Sequence, residues 1–226
     1  MSALIRLIVL FFVFVGSMGY IVYHVSTFFL SLGSRKKLLQ RDFKQLHSLI
    51  AEYKDGLIPL DFEELKLLSS SPISKIKRRG VYTTSKGYLS TIYQEPLFAF
   101  GIKKYKKTGR AVMLVESDKH EYKFYFDRKK TSVFKDKQLK AYITDDDKLV
   151  SIDQVENARI ETISGQKYAT IYEGGDDLAH LNLKDVDGSA ISDRAFSVFH
   201  DVRENSMDKL IYLGLYHLLL KPNLSA

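Results

Sequence analysis

The stretch MDKLIYLGLYHLLL, residues 207–220, decides the fold. Only Asp208, Lys209 and His217 interrupt it, and wound at 3.6 residues per turn its apolar side chains cover every side of a helix. A helix with no polar face belongs inside something. Ser206 is placed to cap it. At 1.5 Å per residue its roughly 22 Å is short for a bilayer crossing. The sequence therefore predicts a core helix over 206–220.

The residues before that helix have the texture of strands. Tyr122, Phe124 and Phe126 alternate with Glu121, Lys123 and Tyr125, the period of a strand with one buried face. The same pattern recurs in Leu97–Tyr105, Leu139–Ile143, Ala158–Ile163, Lys167–Tyr172 and Leu178–Leu183. Ala111–Val115 is continuously apolar and is expected to be buried on both faces. Turn signals separate these runs at short intervals: Thr108-Gly109, Asp118-Lys119, Asp127-Arg128, Lys135-Asp136, Asp145 to Asp147, Ser164-Gly165, Gly174-Gly175 and Asp187-Gly188. Loops this short join antiparallel neighbours and leave no room for parallel crossovers. The expected domain, residues 73–226, is an antiparallel barrel or curled sheet of eight to ten strands around the C-terminal helix.

Ahead of it, residues 34–72 read as a basic helical neck. Leu38, Leu39, Phe43, Leu46, Ile50 and Tyr53 repeat at spacings of three and four, with Arg35, Lys36, Arg41 and Lys44 between them and Gly56 placed to end the helix. Asp61 with Glu64 three residues on signals a second, shorter helix, closed by the Ser69-Ser70-Ser71-Pro72 break. Such a neck either packs its apolar stripe on the domain or lies on a bilayer surface.

Residues 7–33 are free of formal charge and rich in Leu, Ile, Val and Phe, and as a helix they exceed the ~30 Å hydrocarbon core of a bilayer. A cleaved signal peptide ending near Ser17-Met18-Gly19 is the alternative, but apolar residues resume at once and Arg35, Lys36 and Lys37 follow as a stop-transfer pattern would. After the flank 1–6, the expectation is a single transmembrane helix. The excess of Lys and Arg on its far side places the large domain in the cytoplasm. The chain has no Cys, so neither disulfides nor thiolate metal sites contribute.

The net charge of +7 conceals two opposed parts. Residues 34–140 carry 25 Lys and Arg against 12 Asp and Glu, net +13; residues 141–226 carry 8 against 15, net −7; Arg6 supplies the remaining +1. The basic part adjoins the span, and each Lys or Arg near an anionic leaflet contributes about 1 kcal/mol. Electrostatic docking on anionic lipid is the expected role, with Arg35, Lys36, Lys37, Lys75, Lys77, Arg78, Arg79, Lys103, Lys104, Lys106 and Lys107 as headgroup-binding residues. No helix-turn-helix or RNP-like run accompanies the charge, which favours lipid over nucleic acid; a basic surface that serves solubility is the plainer alternative.

The order of elements resembles the tubby-like barrel superfamily, which includes phospholipid scramblases and LURP-one-related proteins. The resemblance covers about Val81 to Leu220 and is carried by VFKDKQLKAYI (133–143), ARIETISGQKYATIY (158–172) and the helix Met207–Leu220. It is one of architecture, without a diagnostic motif. It implies a closed antiparallel barrel around a hydrophobic C-terminal helix and a membrane-surface module that contacts phosphoinositides. Scramblases carry their membrane segment after the barrel, so lipid scrambling is not implied here. An SH3-like or OB-like barrel with added strands is the competing architecture.

No catalytic, metal or cofactor signature is present: no G-x-G-x-x-G, P-loop, H-E-x-x-H or G-x-S-x-G. Gly174-Gly175-Asp176-Asp177-Leu178 approaches the GGDEF signature of diguanylate cyclases but departs at its fifth residue and lacks that family's framework. Asp185-Val186-Asp187-Gly188 lacks the closing Glu of a calcium loop. The expected function is non-catalytic binding of anionic headgroups or of a protein partner at a membrane. The alternatives are a membrane-associated hydrolase or transferase, with a site gathered from residues such as Asp176, Asp177, His180 and His200, or a structural subunit of a membrane complex.

Overall fold

Twelve strands follow one another as a single meander in the computed structural model, which describes residues 17, 18, 20, 36–162, 168–182, 194–199 and 204–225. They are β1 (Ile73–Arg78), β2 (Tyr82–Ser90), β3 (Pro96–Tyr105), β4 (Ala111–Glu116), β5 (Glu121–Asp127), β6 (Lys130–Lys135), β7 (Gln138–Thr144), β8 (Lys148–Val150), β9 (Glu156–Thr162), β10 (Tyr168–Glu173), β11 (Asp176–Asn182) and β12 (Phe196–Phe199). Each pairs antiparallel with its sequence neighbours. Two-residue turns set this up: Asp136 and Lys137 take φ of 50° and 68°, and Gly174 and Gly175 take 62° and 102°, the left-handed pair of a type I′ hairpin. Against the expected eight to ten strands, the described residues form twelve. β1, β2, β8 and β12 escape the periodic reading because they are short, weakly alternating or rich in Ser, Thr and Lys.

Among the described residues β1 and β12 do not pair with one another, so the sheet does not close into the barrel that the tubby-like resemblance implies. At one end Leu68 bridges to Thr91 and Ser69 to Arg194, so a narrow strip of backbone links the regions flanking β2 and β12. Gly87 lets β1 approach β2 closely, because a Cβ there would overlap the Ile73 carbonyl.

Along the inner face, Ile102, Met113, Phe124, Val133 and Ala141 form one register row, and every member is core. That row packs on the C-terminal helix: α3 (Glu204–Leu215), a π-helical turn (Tyr216–Leu220) and α4 (Lys221–Ser225), after α1 and α2 described below. Leu210, Leu213, Leu215, Leu219 and Leu220 are each at most 1% exposed. The three residues that interrupt the apolar run all meet the sheet. Asp208 pairs with Lys135 at 2.7 Å, Lys209 with Glu173, and His217 approaches Asp147 at 3.5 Å. Ser206 is not the cap, because the helix starts at Glu204; its hydroxyl instead donates to Glu173.

The outer face of β3 and β4 is covered by helix α1, residues 36–54, from Phe43 on. Gly101 admits it: a Cβ there would stand 3.1 Å from Ile50 and 3.2 Å from Leu46, both fully buried. With a helix on each face, all six positions of β4 are buried, as its unbroken apolar run implies. Helix α2 (Phe62–Lys66) is capped by Asp61, whose carboxylate accepts from the Glu64 N–H at 2.9 Å. Residues 43–226 form one compact unit and 1–42 another.

Among the described residues no helix is long and apolar enough to cross a membrane. The expected span 7–33 lies outside them, apart from Ser17, Met18 and Tyr20, and so does Arg35.

Candidate functional site

Strand pleat divides the basic residues between two faces. On the inner face, the register places Arg78 opposite Thr83 and Thr83 opposite Lys104, and it places Ile76 opposite Ser85 and Ser85 opposite Ile102. With Lys106 and Asn223 they line a groove of about 470 Å³, where the sheet runs on past the end of the C-terminal helix. Three cations, two hydroxyls and a carboxamide line this groove, and among the described residues no carboxylate does. Lys104 is fixed there, its Nζ donating to the Leu224 carbonyl at 3.0 Å.

The other predicted residues are elsewhere. Lys75 and Lys77 are exposed on the outer face of β1, and Lys107 is exposed in the β3–β4 turn. Arg79 is exposed and donates to the Tyr82 hydroxyl at 3.0 Å. Lys103 is only 6% exposed, under α1; its Nζ donates to Gln45 at 2.9 Å and sits 4.4 Å from the Tyr82 ring. It is a structural lysine rather than a surface one, because residues adjacent in a strand point to opposite faces. Lys36 and Lys37 are exposed on α1, in the unit 1–42. Apolar side chains accompany the basic edge: Ile73, Ile76 and Val81 are 48%, 60% and 60% exposed.

A second concavity, of about 350 Å³, opens where the end of α1 meets the β4–β5 turn, and its walls include His47, Lys54, Glu116, Asp118, His120, Glu121 and Asp136. His47 lies between two carboxylates, with Nδ1 2.6 Å from Glu116 and Nε2 2.7 Å from Glu121. Burial lowers the His47 pKa and outweighs the upward pull of Glu121, with Lys123 and Lys54 adding to the fall. Lys54 pairs with the other oxygen of Glu116, and Lys123 with the other oxygen of Glu121. His120 is held by Asp136 at 2.8 Å. Nothing local in the sequence signals that the neck helix brings His47 onto β4 and β5.

The alternative acidic site is seen only in part among the described residues. His180 contacts Asp177 at 3.0 Å and stacks on Tyr168, Asp176 is exposed, and His200 lies outside the described residues. Among the described residues, the only histidine-carboxylate group compact enough to hold a metal ion is His47, Glu116 and Glu121. No family model, no curated protein and no solved structure matches this chain.

Proposed function

We propose that this protein is a membrane-tethered, non-catalytic module whose sheet edge β1–β3 docks on an anionic cytoplasmic leaflet and takes a phosphate-bearing headgroup into the groove of Arg78, Lys104 and Lys106. The observation that carries the reading is the lining of that groove: three cations, the hydroxyls of Thr83 and Ser85, and no opposing carboxylate among the described residues. Its size falls within the ordinary range for small-ligand sites. The exposed Ile73, Ile76 and Val81 beside Lys75, Lys77 and Arg79 are what a surface needs to sit at the headgroup boundary, with apolar side chains inserting and cations meeting phosphate. The uncharged run 7–33 supplies the tether.

The test is a thermal melt of the full chain in neutral detergent, followed by circular dichroism. A short-chain phosphoinositide should raise the midpoint, because a ligand that binds only the folded state stabilises it. A short-chain phosphatidylcholine should not. Replacing Arg78, Lys104 and Lys106 with Gln should abolish the rise, whereas Lys103→Gln should leave it in place. An equal rise with inorganic phosphate would identify a free anion as the ligand, and no rise with either would refute the groove.

A further inference from the structure

The cavity at the β4–β5 turn carries chemistry that the headgroup reading does not use. His47 presents both ring nitrogens to carboxylate oxygens, Nδ1 to Glu116 at 2.6 Å and Nε2 to Glu121 at 2.7 Å, so a nitrogen donor and two anionic oxygen donors are gathered at one point. The surroundings hold these donors in place. Lys54 and Lys123 engage the outward oxygens of Glu116 and Glu121, leaving the inward oxygen of each directed at His47. Partners that fix the far side of a ligand are the usual support of a metal site. Glu116 is only 3% exposed, so its carboxylate is largely committed to this cluster.

Charge agrees. Within a region of net +13, this cavity is lined by four carboxylates (Glu116, Asp118, Glu121 and Asp136) against two lysines (Lys54 and Lys119). It is an acidic well in a basic half.

We infer that His47, Glu116 and Glu121 bind a divalent transition-metal ion of the zinc class. One imidazole nitrogen with two carboxylate oxygens is a donor set that suits such ions, whereas calcium and magnesium take oxygen alone. One ligand atom from each of the three residues already lies within 4.8 Å of the others. Bound at about 2.0–2.2 Å, the ion takes one ring nitrogen of His47, and the carboxylate now on the other nitrogen swings round to reach it. Three protein ligands leave a fourth position facing the cavity, where water or a small anion completes the shell.

The experiment uses the full chain in detergent after treatment with chelator, titrated calorimetrically with Zn²⁺ and followed by visible absorbance with Co²⁺, whose spectrum reports the geometry of the ligand shell. One equivalent of Zn²⁺ is expected, with affinity falling at least about 100-fold in His47→Ala and in Glu121→Gln. His180→Ala, which removes a histidine paired with an aspartate elsewhere, should bind as the parent does. Circular dichroism of the metal-free variants checks folding, and Glu121→Gln, which preserves shape, decides the matter if His47→Ala does not fold. Wild-type protein that takes up no stoichiometric Zn²⁺, uptake that survives both substitutions, or a preference for Mg²⁺ or Ca²⁺ would each overturn the assignment.

Discussion

β1 and β4 are both six residues long and belong to the same sheet, yet every residue of β1 is exposed and every residue of β4 is buried. The difference lies in what packs on each strand. β4 has the C-terminal helix on one face and α1 on the other, and its sequence AVMLVE shows the continuous apolarity that two covered faces require. β1 lies at the end of the strand order, beyond the reach of either helix, and its ISKIKR tolerates charge throughout. Stability and surface chemistry are thereby separated along one sheet: the β3–β5 region holds the fold, and the β1 edge presents cations.

The most severe way to break this contrast is to attack the helix that creates the buried side. Leu215→Asp puts an unpaired carboxylate at a position 1% exposed, and deletion from Ser206 removes the inner layer altogether. Either change should leave no cooperative melt for the β domain; a truncated chain that melts as the parent does would show that the helix is not core.

Next in size, Leu114→Ala should cost about 2–5 kcal/mol in chemical denaturation, because it empties a filled site between sheet and α1. Ile76→Ala, on the exposed strand, should stay within about 0.5 kcal/mol of the parent. Similar losses for the two would mean that the β1 edge is covered in solution.

Gly101→Ala probes the outer layer alone. Its new methyl would press on Ile50 and Leu46, and a loss of about 1 kcal/mol is expected if α1 holds its place.

The smallest effect is in pH. Burial pushes the His217 pKa down, against the pull of Asp147, so the folded value lies below 6.5 and the unfolded chain takes up the proton first. Stability should therefore be intact above about pH 6.5 and decline as pH falls below it. Asp147 adds a later acid loss: burial opposes its ionisation, but His217 and Lys221 outweigh that and hold its pKa below the usual carboxylate range. Melts between pH 7.5 and 5 should show the decline in the parent and a flatter profile in His217→Gln.

What could be read from the chain follows the same division. The apolar run of β4, the alternation of β5 and the all-round apolarity of 207–220 are local consequences of burial, and each is visible in a few residues. The turn at Gly174-Gly175 is legible because its backbone demands glycine, whereas the Lys135-Asp136 signal falls one residue ahead of the observed turn at Asp136-Lys137. β1 is not, since Ile73 and Ile76 stand three apart and no buried face imposes a period of two. The groove was half legible: Arg78, Lys104 and Lys106 stand out as charge, but only strand register separates Lys104 from the buried Lys103. The cluster of His47 with Glu116 and Glu121 depends on packing between elements far apart in sequence, and no local pattern announces it.

The sheet is a meander of neighbours, so each hairpin forms from chain already made. Its inner face, however, is filled by the helix encoded after all twelve strands. During synthesis, which delivers N-terminal segments first at about 5–20 residues per second, Phe98, Phe100, Met113 and Phe124 emerge well before Leu210–Leu220 arrive to cover them. The nascent chain must spend seconds with its largest apolar surface open to solvent or to a chaperone. Completion of the fold is thereby timed to its last helix.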